Sequence, residues 1–379
     1  MGKAVHWNKT PVIALAILLV VALLPVSAFA AEVTWEEAYQ ATGDSLENQS
    51  HTVGAEWVVI GLSRSGRNIS DDYFDLLAAD IASNADENHR LHSSKASVNA
   101  RMILALTAMG RNAADVDGID LAAGLGSMDY VKKQGLSGVI WALIALDSGN
   151  YAASGDVSRE ALIEIILSVE CANGGWAISG SFADPDMTGM ALQALAPYYD
   201  ANPDVKAAAD RAVGELSKMQ RDDGGFATVG TATSESIAQV IVALTALGID
   251  PDTDARFIKN GSSAVDALLA YYVEGGGFRH IMADERNPVA TEQGYYALTA
   301  YARFLEGKNR LYDMTDVLDM GGDAQKPAQP EPTEQAESIP TVTGPAPAEE
   351  REESSPWWPV AGIAVIAAAL IALYGKRKK

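Results

Sequence analysis

Apolar residues recur at helical spacing through most of the chain, and no alternating strand pattern lasts more than a few residues. The rhythm predicts helices over Val53–Leu62, Asp72–Ile81, Ala96–Met109, Leu136–Leu146, Arg159–Val169, Thr188–Tyr199, Val205–Met219, Ser236–Leu247, Ala264–Tyr272 and Thr291–Leu305, with a weaker one over Met128–Gln134. Gly and Pro separate the runs, as at Gly110, Gly149, Pro203 and Gly248. Two kinds of helix alternate. Gly138–Leu146 and Ala238–Leu247 are small and apolar on every side, whereas Val205–Lys218 carries Lys206, Asp210, Arg211 and Glu215 on one face. Helices apolar all round are buried, and amphipathic ones cover them. The expectation is an all-α body with an inner ring of apolar helices inside an outer ring of amphipathic ones.

A repeat sharpens this picture. Gly174-Gly175-Trp176, Gly224-Gly225-Phe226 and Gly276-Gly277-Phe278 each precede an apolar helical run, at a period of about 50 residues that marks a repeat architecture. One such unit cannot bury its own apolar face, so neighbours must stack. The turn feeds Asp186-Met187-Thr188-Gly189-Met190-Ala191-Leu192-Gln193-Ala194-Leu195. These residues resemble the terpenoid cyclase and protein prenyltransferase superfamily, over about Thr52 to Asp313. The resemblance implies an α/α toroid of about six helical hairpins. The closing segments, Ala290–Leu298 and Gly307–Met314, are similar to exported bacterial proteins of this repeat type. They are also similar to the helical domain of cobalamin carriers.

The two ends change the setting. Lys3, His6 and Lys9 precede an apolar run and then Ala28-Phe29-Ala30, so 1–30 reads as a signal peptide. The body is expected over 31–320. The stretch 321–356 is rich in Pro, Glu, Ala and Thr and reads as a disordered stalk. The apolar run 357–375 is long enough to span a bilayer and is followed by a basic tail, 376–379. This predicts a protein anchored in the cell membrane, with its body extracellular and its C-terminus cytoplasmic. The net charge of −22 argues against nucleic acid as a partner. A single cysteine, Cys171, cannot make an intramolecular disulfide, so packing must hold the body together. A monomer is expected.

Candidate chemistry is sparse. Cys171 and the five histidines show no metal-ligand spacing, so neither a metal nor a cofactor is expected. Squalene-type cyclases use the middle acid of an Asp-x-Asp-Asp-Thr-Ala motif. Asp184 and Asp186 match its first and second acids, and Met187 replaces the third. Both Asp186 and Thr188 can instead cap the helix that starts there. Gln239 and Gln293 align in successive repeats, which suggests polar groups projecting towards a rim. The leading expectation is therefore a cell-surface, membrane-anchored toroid that binds a bulky small molecule, corrinoid-like by the resemblance, or a surface partner, without catalysis. Its candidate ligand-binding residues are Asp186, Thr188, Gln239, Gln293, Glu292 and Tyr295. The alternatives are a terpenoid cyclase-like enzyme with Asp186 as general acid, and a structural or adhesion module.

Overall fold

The structure, a computed structural model, describes residues 33–317. The signal peptide, stalk, membrane span and basic tail expected above lie outside these residues. Among the described residues no helix is long and apolar enough to cross a membrane. Within the described residues twelve α-helices follow one another: α1 Trp35–Glu47, α2 Glu56–Arg64, α3 Asp71–Asn84, α4 Ala96–Ala108, α5 Met128–Lys132, α6 Leu136–Ser148, α7 Arg159–Ser168, α8 Pro185–Leu195, α9 Pro203–Met219, α10 Ser234–Ala246, α11 Ala264–Leu269 and α12 Pro288–Leu305. Two short antiparallel hairpins, β1 Ala227–Thr228 with β2 Thr231–Ala232 and β3 Phe278–Arg279 with β4 Arg286–Asn287, precede α10 and α12. The fold is all-α apart from these.

The even-numbered helices pack in sequence, α2 on α4, α4 on α6, α6 on α8, α8 on α10 and α10 on α12, and α12 returns to α2. They form a closed inner ring. The odd-numbered helices lie outside it, as α7 does on α6, α9 on α8 and α11 on α10. Burial follows the sequence pattern. In α6 Val139 to Leu146 are all buried, whereas α9 buries only Val205, Ala208, Ala209, Ala212, Val213 and Leu216 along one stripe. The inner helices run parallel, because residues near their starts meet one another. Gln239 on α10 meets Gln293 on α12, and late residues such as Arg303 on α12 meet the end of α2 at Arg64. One mouth of the ring therefore collects inner-helix N-termini and the other collects C-termini.

The Gly-Gly-aromatic turn is the device that joins the layers. Trp176, Phe226 and Phe278 are fully buried. The Trp176 N–H donates to Thr188 Oγ1 (2.9 Å), which donates back to the Trp176 carbonyl (3.0 Å). Phe278 and Thr291 repeat this exchange two ring positions further on, at α12. The first glycine of the turn lets the chain pass against the next outer helix. A Cβ on Gly174 would lie 2.9 Å from the Arg211 backbone of α9, and one on Gly276 would lie 2.4 Å from the Ala41 carbonyl of α1. Both sit at positive φ, where glycine carries no steric cost.

The first helix, α1, escapes the apolar-periodicity reading because it is mostly polar. Its signal is local: Thr34 accepts from the Glu37 N–H while the Glu37 carboxylate accepts from the Thr34 N–H, a capping box. The last described segment, 308–317, crosses the C-terminal mouth. Arg64 donates to the carbonyls of Leu311 (2.9 Å) and Asp313 (2.7 Å) and to Asp316 (2.7 Å). Arg303 holds the Asn309 carbonyl and the same Asp316 carboxylate. Tyr312, carried by this strap, enters the ring.

Candidate active site

Four aromatic side chains meet inside the ring. The Trp57 ring of α2 lies 5.0 Å from that of Trp141 of α6 and 6.0 Å from that of Tyr296 of α12, and Tyr312 closes on Trp141 at 5.8 Å. Helices α2 and α6 are not ring neighbours, so these side chains span the interior. The small number of phenylalanines gave no hint of it, since the aromatic character comes from Trp and Tyr.

An amide belt crosses beside them. Gln193 Nε2 donates to Gln239 Oε1 (3.0 Å), and Gln239 Nε2 donates to Gln293 Oε1 (3.1 Å) and to the Tyr296 hydroxyl (2.7 Å). Tyr296 in turn donates to Gln293 Oε1 (3.0 Å). Gln239 and Gln293 are thus engaged with each other, and Thr188 with the Trp176 backbone. The Tyr295 hydroxyl points outward through the wall and donates to Ser65 Oγ (2.9 Å).

The N-terminal mouth gathers carboxylates. Glu56 is fully buried at the start of α2, with Oε1 accepting from the Gly54 N–H (2.7 Å) and Oε2 lying 3.0 Å from Arg101 Nε of α4. Glu235 at the start of α10 meets His280 Nδ1 at 2.8 Å. Asp186 and Glu292, half-buried, complete the set. Asp186 stands in the first turn of α8 beside the hydroxyls of Ser236 and Thr228. Its Oδ1 is sealed from solvent and has no hydrogen-bond partner among the described residues. An anionic oxygen in that position is unfavourable. Burial raises the Asp186 carboxyl to about 6, the Ser236 and Thr228 hydroxyls oppose it, and the nearby Asp184 and Glu235 charges add a little to the rise. Burial likewise raises Glu292 to about 7, with Glu56 and Glu235 adding to the effect and Arg101 opposing it. Sequence reasoning missed Glu56 and Arg101 as members of this set, because ring closure brings them to Glu292 from far along the chain.

The helix cap is not Asp186. Pro185 takes the first helical position, so Asp184 is the N-cap, with Oδ1 accepting from the Met187 N–H (2.8 Å) and Oδ2 from the Ile178 N–H (2.6 Å). Proline at the first position locates the cap one residue before it. Asp184→Ala should therefore lower stability by about 0.5–2 kcal/mol, while Asp184→Asn loses less. Urea unfolding midpoints of the two variants check this.

The raised carboxyls also set a pH dependence. Asp186 rises from 3.8 to about 6 and Glu292 from 4.5 to about 7 on folding. The native state keeps two protons that the unfolded chain releases on passing from about pH 4 to about pH 7. Their burial is harmless at the acid end and destabilising at the neutral end, so this contribution to stability falls as pH rises through that window. Urea midpoints between pH 5 and 8 should decline, and the Asp186→Asn, Glu292→Gln double variant should decline less. An equal decline would show that the two carboxyls titrate as freely in the native state as in the unfolded chain.

No family model matches the chain, and no curated protein does. Solved structures do. Terpene cyclases are among the solved structures it resembles. One is the ent-copalyl diphosphate synthase of Streptomyces platensis, at 22% identity and a TM-score of 0.46, covering 66% of this chain and 50% of that one. Another is the type II terpene cyclase MstE of Scytonema, at 12% identity and a TM-score of 0.49, covering 71% and 99%. A variant of MstE in complex with its substrate, geranylgeranyl dihydroxybenzoate, matches at 12% identity and a TM-score of 0.45, covering 75% and 98%. The chain thus spans half the length of the Streptomyces enzyme and nearly all of MstE.

The expectation of a non-catalytic toroid carrying a corrinoid-like molecule or a surface partner is corrected here. It rested on amides projecting to a rim, and Gln239 and Gln293 are bonded to each other and to Tyr296. The unspent polar groups at the mouth are carboxyls with raised proton affinity.

Proposed function

We propose that the chain is a terpenoid cyclase-like enzyme that starts its reaction by protonating an alkene, with Asp186 as the general acid. The observation that carries this reading is Asp186 Oδ1, a sealed and unpartnered carboxyl oxygen raised to about 6. Such a group holds a proton at mildly acidic pH, and a proton on Oδ1 is engaged by no protein acceptor. The proton goes to one alkene carbon, whose π pair becomes the new C–H bond. The neighbouring carbon becomes a cation, which an internal alkene attacks to form the ring bond. The last cation loses a proton to water, and water recharges Asp186. Trp57, Trp141 and Tyr296 offer π faces that attract the intermediate cations. Tyr296 lies close enough to Glu292 and Glu235 for their charges to act on its hydroxyl, so the aromatic interior adjoins the acidic mouth. An apolar substrate would arrive past the exposed side chains Phe182, Val229 and Met282, which tip the three loops before α8, α10 and α12.

The organisation read from the ends belongs to the same proposal: signal peptide 1–30, body 31–320, stalk 321–356, membrane span 357–375 and cytoplasmic tail 376–379, with a monomeric ring outside the cell. Incubating the full chain with squalene and geranylgeranyl-tailed alkenes in D2O tests the chemistry. Cyclised product carrying one deuterium at the initiating carbon is expected. Unchanged alkene across the panel would refute acid initiation.

A further inference from the structure

The C-terminal mouth holds a cavity of about 410 Å³, on the opposite side of the ring from Asp186. Its apolar walls include Ile144, Ala194, Val242 and Leu311, and Tyr312 is its inner limit towards the aromatic interior. The volume lies within the range of small-molecule sites. One buried polar atom on its walls lacks a partner, and one half-buried guanidinium is left unengaged by side chains.

The first is Gln193. The amide belt has a direction: Gln193 donates to Gln239, and Gln239 donates to Gln293 and Tyr296. Each amide oxygen along it is used except the one at its head. Gln193 is 6% exposed, and its Oε1 has no hydrogen-bond partner among the described residues. Turning the amide over would set its oxygen against the Gln239 carbonyl and side-chain oxygens, both 3.0 Å from the present Nε2. The orientation is therefore fixed, and Gln193, which lines the cavity, keeps a vacant acceptor. A buried acceptor with no donor is costly, so such groups call for an explanation.

The second is Arg310. Its nearest carboxylate contact is 4.0 Å, to Asp313. The carboxylates facing it have closer partners. Asp147 takes Arg159 Nε (2.7 Å) and the Tyr198 hydroxyl (2.8 Å), and Asp313 takes the Thr315 hydroxyl (2.7 Å) and Asn309 Nδ2 (3.2 Å). The Arg310 fork makes no hydrogen bond among the described residues and suits a carboxylate.

We infer that this cavity is a second binding site, for an organic acid with an apolar body and a hydroxyl group. The carboxylate faces Arg310, the hydroxyl donates to Gln193 Oε1, and the body lies against Ile144, Val242 and Leu311. This site is separate from the proposed acid at Asp186 and does not rest on that reading.

Indole-3-lactate and indole-3-propionate, which differ by one hydroxyl, probe it by calorimetric titration into the full chain. Indole-3-lactate should bind, and loss of the hydroxyl should weaken binding by about tenfold, the usual consequence of leaving a buried partner unpaired. Arg310→Gln should weaken both ligands. Gln193→Leu should remove the difference between them, with unfolding midpoints confirming that each variant is folded. Equal affinities for the two acids in the unaltered chain would remove the role assigned to Gln193. Absence of binding by either would overturn the site, leaving water as the donor to Gln193.

Discussion

Replacing Asp186 by Asn is expected to lower cyclisation of an isoprenoid alkene by about 10²–10⁴-fold, the range lost with a positioned general acid. Asn keeps the shape and removes the transferable proton. Stability should move the other way. Near pH 8 the Asp186 carboxyl is ionised in a site that disfavours the charge, so the neutral amide should raise the unfolding midpoint there and change it little near pH 5. A stable variant that turns over as fast as the unaltered chain would remove Asp186 from the chemistry. Because Asp184 is the cap, a loss of activity at Asp186 cannot be blamed on a frayed helix.

The second large effect is expected at Asp316. This carboxylate receives both Arg64 and Arg303, whose side chains are 1% and 8% exposed. Asp316→Ala would leave two buried guanidinium groups without their counter-charge. Breaking a buried ion pair from one side costs about 3–5 kcal/mol, and the lower end applies here because Asp316 is itself about one-third exposed. Much of the strap over the C-terminal mouth should loosen with it, since Arg64 and Arg303 also hold the Leu311, Asp313 and Asn309 carbonyls. The two arginines hold the Asp316 carboxyl below its usual range. Its contribution is therefore present above about pH 4 and lost as pH falls through the lowered native value. Urea titrations at pH 7 and pH 3 should show a large difference between unaltered chain and variant at pH 7, and a smaller one at pH 3.

Layering was legible in the sequence because it is written in local periodicity. The all-apolar runs became the inner helices and the one-faced runs the outer ones. The Gly-Gly-aromatic turns landed between layers, since backbone freedom and a buried ring are set by adjacent residues and, in two of the three, a threonine partner follows within about 15 residues. Helix α1 was not legible by that route. It buries mainly Ala38, Thr42, Gly43 and Leu46, too small and polar a stripe to announce itself. In the candidate site, Asp184 and Asp186 were legible as a pair, but the sequence reading sets the cap too late, at Asp186, although Pro185 at the first helical position carries the signal that puts it at Asp184. Glu56 and Arg101 were not, because nothing near either residue indicates that ring closure sets both against Glu292. Tyr312 was hidden for the same reason: its place in the interior depends on Arg64, almost 250 residues earlier.

The packing of α12 against α2 has a consequence for how such a chain can change. An open stack of hairpins can gain or lose a unit, provided its two ends carry capping repeats. A circle has no ends to cap. Duplicating or deleting one hairpin here would alter the circumference, part α12 from α2 and break the contacts at Arg64 and Arg303 together. The number of hairpins is thereby locked, and length variation is pushed into the loops around the two mouths, such as 279–286 before α12.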